Sequence, residues 1–190
     1  YKKEKVIKTI KSYCFNINPN VQTFLGLCYN SVLKNKEILE EKMPLSDKKD
    51  FTMCGLEVSQ NLFLEAVREV GFKDYNSKIN LVHQLLRRHS LIVSNNLSES
   101  EVDEKSRILN EAFALEAKKT LDLFKVKTLE MRAFDYLRQQ SLFKWLYENT
   151  NAMANIKHII IDDYDEQTPA CTDFFKKIKK QLDSWVVGID

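Results

Sequence analysis

The sequence predicts an α/β protein that is predominantly helical, with a partial parallel sheet of few strands and a large helical insertion. Three observations lead to this prediction. Most of the 190-residue chain carries apolar residues at three- and four-residue steps, as amphipathic helices do. The stretch "HIIID" at residues 158–162 contains a continuous apolar run, which is typical of a parallel strand covered on both faces. A helical pattern and a second apolar run follow it, so we expect a βαβ unit with a right-handed crossover.

The composition excludes several classes of protein. With 44% hydrophobic and 29% charged residues, the chain fits neither a disordered nor a membrane-spanning protein. Its longest apolar runs are too short for a transmembrane helix, and no secretory leader opens it. We therefore expect a cytoplasmic protein with no membrane partner. The four cysteines and three histidines are scattered and form no zinc pattern, and the net charge of +2 neither requires nor excludes nucleic acid.

The first part of the chain predicts a helix, a short strand and a second helix. Apolar residues in "EKVIKTIKSYC" recur at helical spacing, and Pro19 ends that pattern. Residues 21–24, "VQTF", are β-prone and follow a turn, which favours a strand. Helical periodicity then returns in "LGLCYNSVLKNKEILEEK".

The middle of the chain predicts helices joined by polar turns. Gly71 follows "EVSQNLFLEAVREV" in the position that a helix stop prefers, and "SKINLVHQLLRRHSLI" is another helix. Ser98 stands three residues before Glu101, a capping box that begins one long helix with apolar residues mostly at four-residue intervals as far as Phe124. A further helix is predicted over residues 131–147.

The end of the chain returns to an α/β pattern. Thr168 and Pro169 have the residue types of an N-cap and a first-turn proline for the helix "ACTDFFKKIKKQLDS", and "WVVGID" is the second apolar strand. The chain therefore divides into three predicted units. These are residues 1–42, part of an α/β domain; residues 43–150, a helical insertion; and residues 151–190, a βαβ segment.

Four carboxylates crowd the end of the first predicted strand of that segment: Asp162, Asp163, Asp165 and Glu166. In an open α/β sheet, ligands collect at the carboxyl ends of strands. A carboxylate at such an end can hold Mg²⁺ alongside substrate phosphates, and a second one can orient and deprotonate a water. The alternative is an acidic loop before a helix N-terminus, where the helix dipole favours negative charge. The chemistry of these residues leaves both interpretations open.

Two standard ligand-binding loops are excluded by the sequence. Only Gly26, Gly55, Gly71 and Gly188 are present, and none begins a G-x-x-x-x-G-K-[ST] or G-x-G-x-x-G run. A calcium loop is disfavoured, because one starting at Asp163 would place Thr168 where glycine is needed and Phe174 where the bidentate Glu is needed. We therefore expect this chain alone to bind no nucleoside triphosphate tightly.

Several stretches resemble one family. "HIIIDDYDEQTPACTDFF" resembles motif II of UvrD-like superfamily 1 DNA helicases, where an apolar strand leads into D-E-[FY]-Q-D-x-x-P. "VQTFLGLCYNSVL" resembles the T-F-H-S-[FL]-C segment of that family, and "WVVGID" resembles the start of its V-V-G-D motif III. "RAFDYLRQQSLFKWL" is similar to the D-F-D-D-L helix that precedes motif II. The four stretches occur in the family's order, and the helical middle matches by length and position.

The resemblance implies a fragment of the first motor domain, with a partial RecA-like sheet and a helical 1B-like subdomain. It implies that Asp162 binds Mg²⁺ and ATP, that Asp163 occupies the place of the catalytic Glu, and that Asp165 replaces a nucleotide-sensing Gln. Thr23 and Phe24 keep the T-F pair that lies along single-stranded DNA. The implied partners are Mg²⁺ and ATP in the full-length protein, single-stranded DNA or DNA junctions, and the remaining helicase domains.

Departures from the family's pattern bear on catalysis. Asp163 is one methylene shorter than Glu, so its carboxylate retreats by ~1.5 Å unless the backbone advances. Displacements near ~1 Å can cost roughly 10²-fold in rate. Asp165 adds charge beside an anionic nucleotide, and Ile189 stands where motif III has its Asp. The hypothesis is a helicase-like fragment with a degenerate Walker B element; the alternative is a catalytically inactive scaffold that binds DNA or protein.

Other candidate residues have weaker support. Phe143 and Trp145 could stack on bases, but core packing is the favoured interpretation. Cys171 lies in the first turn of a helix, which can lower the pKa of a thiol, but no neighbouring base is identifiable and no catalytic role is assigned.

Overall fold

The computed structural model describes residues 2–13, 19–42, 51–72, 78–109 and 113–189. Over these residues the chain is mostly helical, with four short strands in two parallel pairs, which confirms a predominantly helical α/β class. The helices are α1 (Lys2–Tyr13), α2 (Phe24–Lys34), α3 (Lys36–Lys42), α4 (Leu56–Val70), α5 (Lys78–Ser94), α6 (Glu99–Ile108), α7 (Ala114–Glu130), α8 (Tyr136–Asn149) and α9 (Pro169–Ile178). The strands are β1 (Thr52–Met53), β2 (Ala133–Phe134), β3 (His158–Ile161) and β4 (Ser184–Val187).

The predicted βαβ unit is present at the end of the chain. Strands β3 and β4 pair in parallel, with Ile160 opposite Val186, and α9 connects them. Thr168 is the N-cap of α9, where its side chain accepts a hydrogen bond from the Cys171 amide at 3.4 Å. Pro169 occupies the first turn, where its missing N–H removes no helical hydrogen bond. Both predictions about this helix start are confirmed.

The prediction that both faces of this strand pair are covered is wrong. Ile161 is buried, but Ile160 is 71% exposed and Val186 is 57% exposed. Alternate residues of a strand point to opposite faces, so the core covers one face and leaves the other in contact with solvent among the described residues. A continuous apolar run cannot distinguish these arrangements, because it supplies apolar side chains to both faces.

The strand predicted over residues 21–24 is also wrong. Thr23 is the N-cap of α2, and its hydroxyl accepts a hydrogen bond from the Gly26 amide at 3.0 Å. The helix therefore begins at Phe24. Because a threonine side chain can satisfy an otherwise unpaired amide in the first turn, capping outweighs the β propensity of this short stretch.

Helix boundaries in the middle of the chain differ from the predictions in two places. The Ser98 cap is confirmed, and the helix that it begins, α6, ends at Ile108, with α7 starting separately at Ala114. The helix predicted over residues 131–147 begins only at Tyr136, because Asp135 caps it and the preceding residues form β2. The stop at Gly71 is confirmed, since this residue closes α4 in the left-handed conformation.

Two hydrophobic clusters form the core of the described residues. The first joins α2 and α8 to the βαβ unit, and the second packs α4, α5 and α7 together. Fully buried side chains of the first cluster are Val32, Phe134, Leu142, Phe143, Leu146 and Phe174; those of the second include Phe63 and Val67. The first cluster fixes the helix that follows the acidic loop, so it positions the candidate site.

No helix among the described residues is long and apolar enough to cross a membrane.

Candidate functional site

The acidic residues form the loop between β3 and α9. Asp162 directly follows β3 and is exposed, and Asp163 adopts a left-handed backbone with φ 49° and ψ 49°. A 3₁₀ turn, Tyr164–Glu166, comes next. Aspartate tolerates the left-handed conformation better than most residues, so this sharp turn suits the sequence. The loop thus begins at the carboxyl end of the strand, as the sequence predicts.

Backbone hydrogen bonds hold the start of the loop against the end of β4. The Gly188 amide donates to the Ile161 carbonyl at 2.7 Å, and the Tyr164 amide donates to the Gly188 carbonyl at 3.1 Å. A Cβ at Gly188 would lie 3.1 Å from Oδ1 of Asp162, so the carboxylate rests directly beside this glycine. The ring of Tyr164 meets Trp185 of β4 edge-on at 6.3 Å. Asp162 is therefore placed at the edge where both strands end.

Gln167 holds the loop from its other side. Its Nε2 donates to the Asp163 carbonyl at 3.0 Å and more weakly to the Asp162 carbonyl at 3.4 Å, while its Oε1 accepts from the Cys171 thiol at 3.2 Å. Its role is not predictable from the sequence, because a lone glutamine after an acidic run forms no pattern. Both bonds to the loop are made to backbone carbonyls and not to the acidic side chains.

Cys171 is buried beneath this loop, and burial raises the pKa of its thiol to about 12. The lowered pKa that its position in the first turn of α9 can give is therefore not observed. The cost of desolvating the thiolate outweighs the stabilisation that the N-terminus of α9 gives it. The thiol is therefore unreactive at neutral pH.

The carboxylates do not converge into an all-protein metal cage. Among the described residues, no group of three or more His, Cys, Asp and Glu side chains could hold a metal ion. A cation beside Asp162 would therefore take most of its ligands from water and from a bound phosphate. Mg²⁺ binds in this way, since it retains several waters and uses one or two carboxylates. The described residues therefore offer such an ion no complete set of protein ligands.

The remaining predicted acidic residues lie within the same short loop. Asp163 is half-buried, whereas Asp165 in the 3₁₀ turn is exposed. The left-handed backbone at Asp163 makes the chain direction change sharply directly after Asp162. The side chain of Asp162 therefore projects from backbone that continues the strand, whereas that of Asp163 projects from the residue that begins the turn.

Thr23 and Phe24 lie at the start of α2. The Thr23 hydroxyl accepts from an amide of its own helix, and this bond orients it along the helix end. The partly buried ring of Phe24 meets Phe143 of α8 edge-on at 5.8 Å and Phe174 of α9 at 6.1 Å. Phe24 therefore packs against the helix that follows the acidic loop, so these two parts of the predicted site share one hydrophobic cluster.

Comparison of the chain with protein-family models, with curated proteins and with solved structures gives no match. The geometry of the acidic loop and the start of α2 therefore carries the functional argument.

Proposed function

We propose that this chain is part of an ATP-dependent DNA helicase-like motor, a RecA-like motor domain fragment with a helical 1B-like insertion. Its acidic loop supplies the Mg²⁺ and water side of the nucleotide site, and the start of α2 forms part of a track for single-stranded DNA. One observation carries this proposal: Asp162 lies at the carboxyl end of β3, beside Gly188 at the end of the parallel neighbour β4. Ligands of open α/β sheets bind at this edge.

Each carboxylate of the loop has a separate role in this proposal. Asp162 holds Mg²⁺ through its exposed side chain, and the ion when bound neutralises phosphate charge. Asp163 accepts a hydrogen bond from the attacking water and takes its proton. Asp165 adds negative charge near the phosphates, which weakens nucleotide binding. Since no glycine-rich phosphate loop occurs in this sequence, the phosphates are held by another part of the motor.

The decisive experiment measures ATP hydrolysis by the full-length protein carrying Asp162→Asn. We expect turnover to fall by roughly 10²-fold or more, because the substitution removes the charge that holds Mg²⁺ while keeping the side-chain shape. Asp165→Asn is the matched control, since it removes the same charge from the same loop and should not lower turnover. Equal turnover by the Asp162→Asn variant and the unaltered protein would overturn the proposal.

A catalytically inactive scaffold is the second candidate, and the short side chain of Asp163 favours it. In the full-length protein, Asp163→Glu restores the longer carboxylate and should raise ATP turnover if the site is merely detuned. No turnover in either form, together with binding of a labelled single strand that weakens steeply with salt, indicates a DNA-binding scaffold. A protein-binding scaffold shows no such affinity for DNA.

A further inference from the structure

One face of the β3–β4 pair is left uncovered by the rest of the described chain. Ile160 and Val186 lie opposite each other on it, and both side chains are more than half exposed. We call this surface, made of Ile160, Val186 and the neighbouring Asp162 and Gly188 at the strand ends, the open face. Parallel strands are normally covered on both faces, so a surface of this kind requires another layer.

The carboxyl end of the open face is acidic. Asp162 continues the line of Ile160, because alternate residues of a strand point to the same face. Gly188 stands directly beside the Asp162 carboxylate and has no side chain to cover it. Asp165 and Glu166 in the following turn are exposed as well. No salt bridge between described residues uses these carboxylates. A fitting partner therefore carries an apolar stripe with positive charge at one end.

Helix α1 has an apolar stripe that the described core does not cover. Val6, Ile7 and Ile10 recur at helical spacing, yet residues 3–12 are all exposed or half-buried. Neither hydrophobic cluster of the described residues includes a residue of this helix. A 12-residue helix is marginal in water by itself, because so few turns barely offset the cost of nucleation. Its stability must come from burying the stripe against another surface.

The stripe of α1 matches the open face in spacing and charge. Lys3 lies four residues before Ile7 and seven before Ile10, so the three side chains share one side of the helix. Lys3 and Ile7 are about 6 Å apart along the helix axis. Asp162 and Ile160 are about 7 Å apart along β3. A helix laid on the open face with its N-terminus toward the acidic loop therefore brings Lys3 to Asp162 when Ile7 covers Ile160. This orientation also places the positive end of the helix dipole beside carboxylates, which is favourable.

We propose that the open face binds helix α1 of a second copy of this chain, in a dimer where each copy gives its own α1 and receives that of the other. Within one copy, α1 and the open face both remain uncovered. Two copies related by a twofold axis cover both at once, because the same contact is made twice and the assembly closes. Making the contact twice also doubles the buried area, which stable interfaces need, since they bury roughly 1,200–2,000 Å². Since Lys3 takes the place of Mg²⁺ at Asp162, this dimer is the form of the protein without bound nucleotide.

Analytical ultracentrifugation of the chain without Mg²⁺ or nucleotide tests this dimer. We expect a dimer whose population rises with protein concentration. Ile160→Ser removes apolar area from both contacts and should weaken dimerisation by roughly 100-fold or more. Ile79→Ser is the matched control, because Ile79 is also more than half exposed but lies on α5, away from the open face and α1. It should leave the dissociation constant unchanged.

A charge exchange tests the orientation of α1 on the open face. Lys3→Glu and Asp162→Lys should each weaken dimerisation by roughly tenfold, because each turns an attraction into a repulsion in both contacts. The variant that carries both substitutions should regain affinity over either single variant. Lys8→Glu makes the same change of charge on the polar side of α1 and should have little effect.

Three results would overturn the dimer: a monomer at every concentration, a dimer that Ile160→Ser leaves intact, or a double charge variant that regains no affinity. If the chain is a monomer, hydrogen exchange names the occupant. Amides of α1 that are protected, and that lose protection in Ile160→Ser, would show that α1 covers the open face of its own copy. Circular dichroism checks that each variant keeps its helices. If Ile160→Ser does not fold, the charge exchange decides, since it alters exposed side chains alone. None of these measurements uses ATP turnover, so failure of the dimer leaves the proposed function standing.

Discussion

Nδ2 of Asn96 donates a hydrogen bond to Oδ2 of Asp173 over 2.7 Å, which ties the turn between α5 and α6 to helix α9. Lys144 of α8 donates to the same asparagine through Oδ1. One side chain therefore connects the helical middle of the chain with the βαβ unit. It does so from a left-handed turn, a conformation that asparagine tolerates and alanine does not.

Substitution of Asn96 tests this junction. Asn96→Ala should lower the free energy of unfolding by about 3–4 kcal/mol, since two hydrogen bonds of about 1 kcal/mol each are lost and the left-handed turn becomes strained by about 1–2 kcal/mol. Asn96→Gly loses the same bonds without that strain, so its loss should be the smaller. Urea unfolding of both variants measures the difference. Equal losses would mean that the turn conformation contributes nothing.

The cap of α8 gives a second prediction. Asp135 is 1% exposed; its Oδ1 accepts from the Arg138 amide at 2.8 Å, and its Oδ2 accepts from the Ser59 hydroxyl at 3.0 Å. Asp135→Ala should therefore lower the free energy of unfolding by about 2–4 kcal/mol, because it removes a helix cap and a buried hydrogen bond to a charged group.

Ser98→Ala is the matched control for that cap. Ser98 caps α6 through one bond of 3.4 Å at an exposed position, so its removal should cost only about 0.5–1 kcal/mol. Thermal or urea unfolding compares the two variants. A similar loss for both would show that the link from α4 to α8 through Ser59 is unimportant.

The buried side chain of His89 should make the stability of the core depend on pH in the acid range. It is 5% exposed and packs against the stacked rings of Phe63 and Phe124, and its Nδ1 has no hydrogen-bond partner among the described residues. Burial lowers the pKa of this imidazole from its ordinary value of 6.5, and the nearby Asp135 only partly offsets the effect. The folded state therefore resists the proton that the unfolded state accepts.

Because of this difference, the free energy of unfolding falls as the pH falls. The contribution of His89 to stability is fully present above about pH 6.5 and is lost as the pH falls toward its folded pKa, by at most about 1.4 kcal/mol per pH unit. His89→Leu should flatten the decline in the free energy of unfolding between about pH 6.5 and pH 5. His83→Gln, which alters an exposed histidine of the same helix, should leave the decline unchanged. An unchanged slope in His89→Leu would contradict the prediction.

Substitution of Gly188 should lower ATP turnover while changing the free energy of unfolding little. A methyl group there would stand 3.1 Å from Oδ1 of Asp162 and 3.6 Å from the Ile161 carbonyl, so Gly188→Ala should push the carboxylate aside. Because Asp162 is exposed, we expect a loss of less than about 1 kcal/mol in unfolding free energy. In the full-length protein, Mg²⁺-dependent ATP turnover should fall by roughly tenfold or more.

Gly55→Ala is the control, because a Cβ at that position meets nothing within 4 Å. It should leave turnover close to that of the unaltered protein, although alanine is a poorer N-cap for α4 than glycine. Full turnover by Gly188→Ala would show that the position of the Asp162 carboxylate does not matter for the reaction.

The sequence predicts what is local and strongly patterned. The βαβ unit, the Thr168 cap and the stop at Gly71 are each marked by a few neighbouring residues, and the structure confirms them. The pairing of β1 with β2 is not predictable in this way. Each strand has two residues, too few to show a period, and their partners are about eighty positions apart in the chain.

The candidate site also combines local features, which the sequence predicts, with features that depend on long-range contacts. The position of Asp162 at a strand end follows from the apolar run before it, whereas the roles of Gln167 and Gly188 depend on contacts that form only after folding. The sequence predicts a strand at Thr23 because threonine favours both strands and caps, and the hydrogen bond from the Gly26 amide at 3.0 Å shows that it is a cap. Packing of Phe143 in the core is confirmed, since it is 1% exposed.

The way Gln167 and Gly188 fasten the acidic loop has a practical consequence. Every bond they make to it uses a neutral partner, so the shape of the loop should persist when one of its carboxylates is replaced by the corresponding amide. Any loss of ATP turnover in the Asp162→Asn variant would then report the missing charge, uncomplicated by local unfolding.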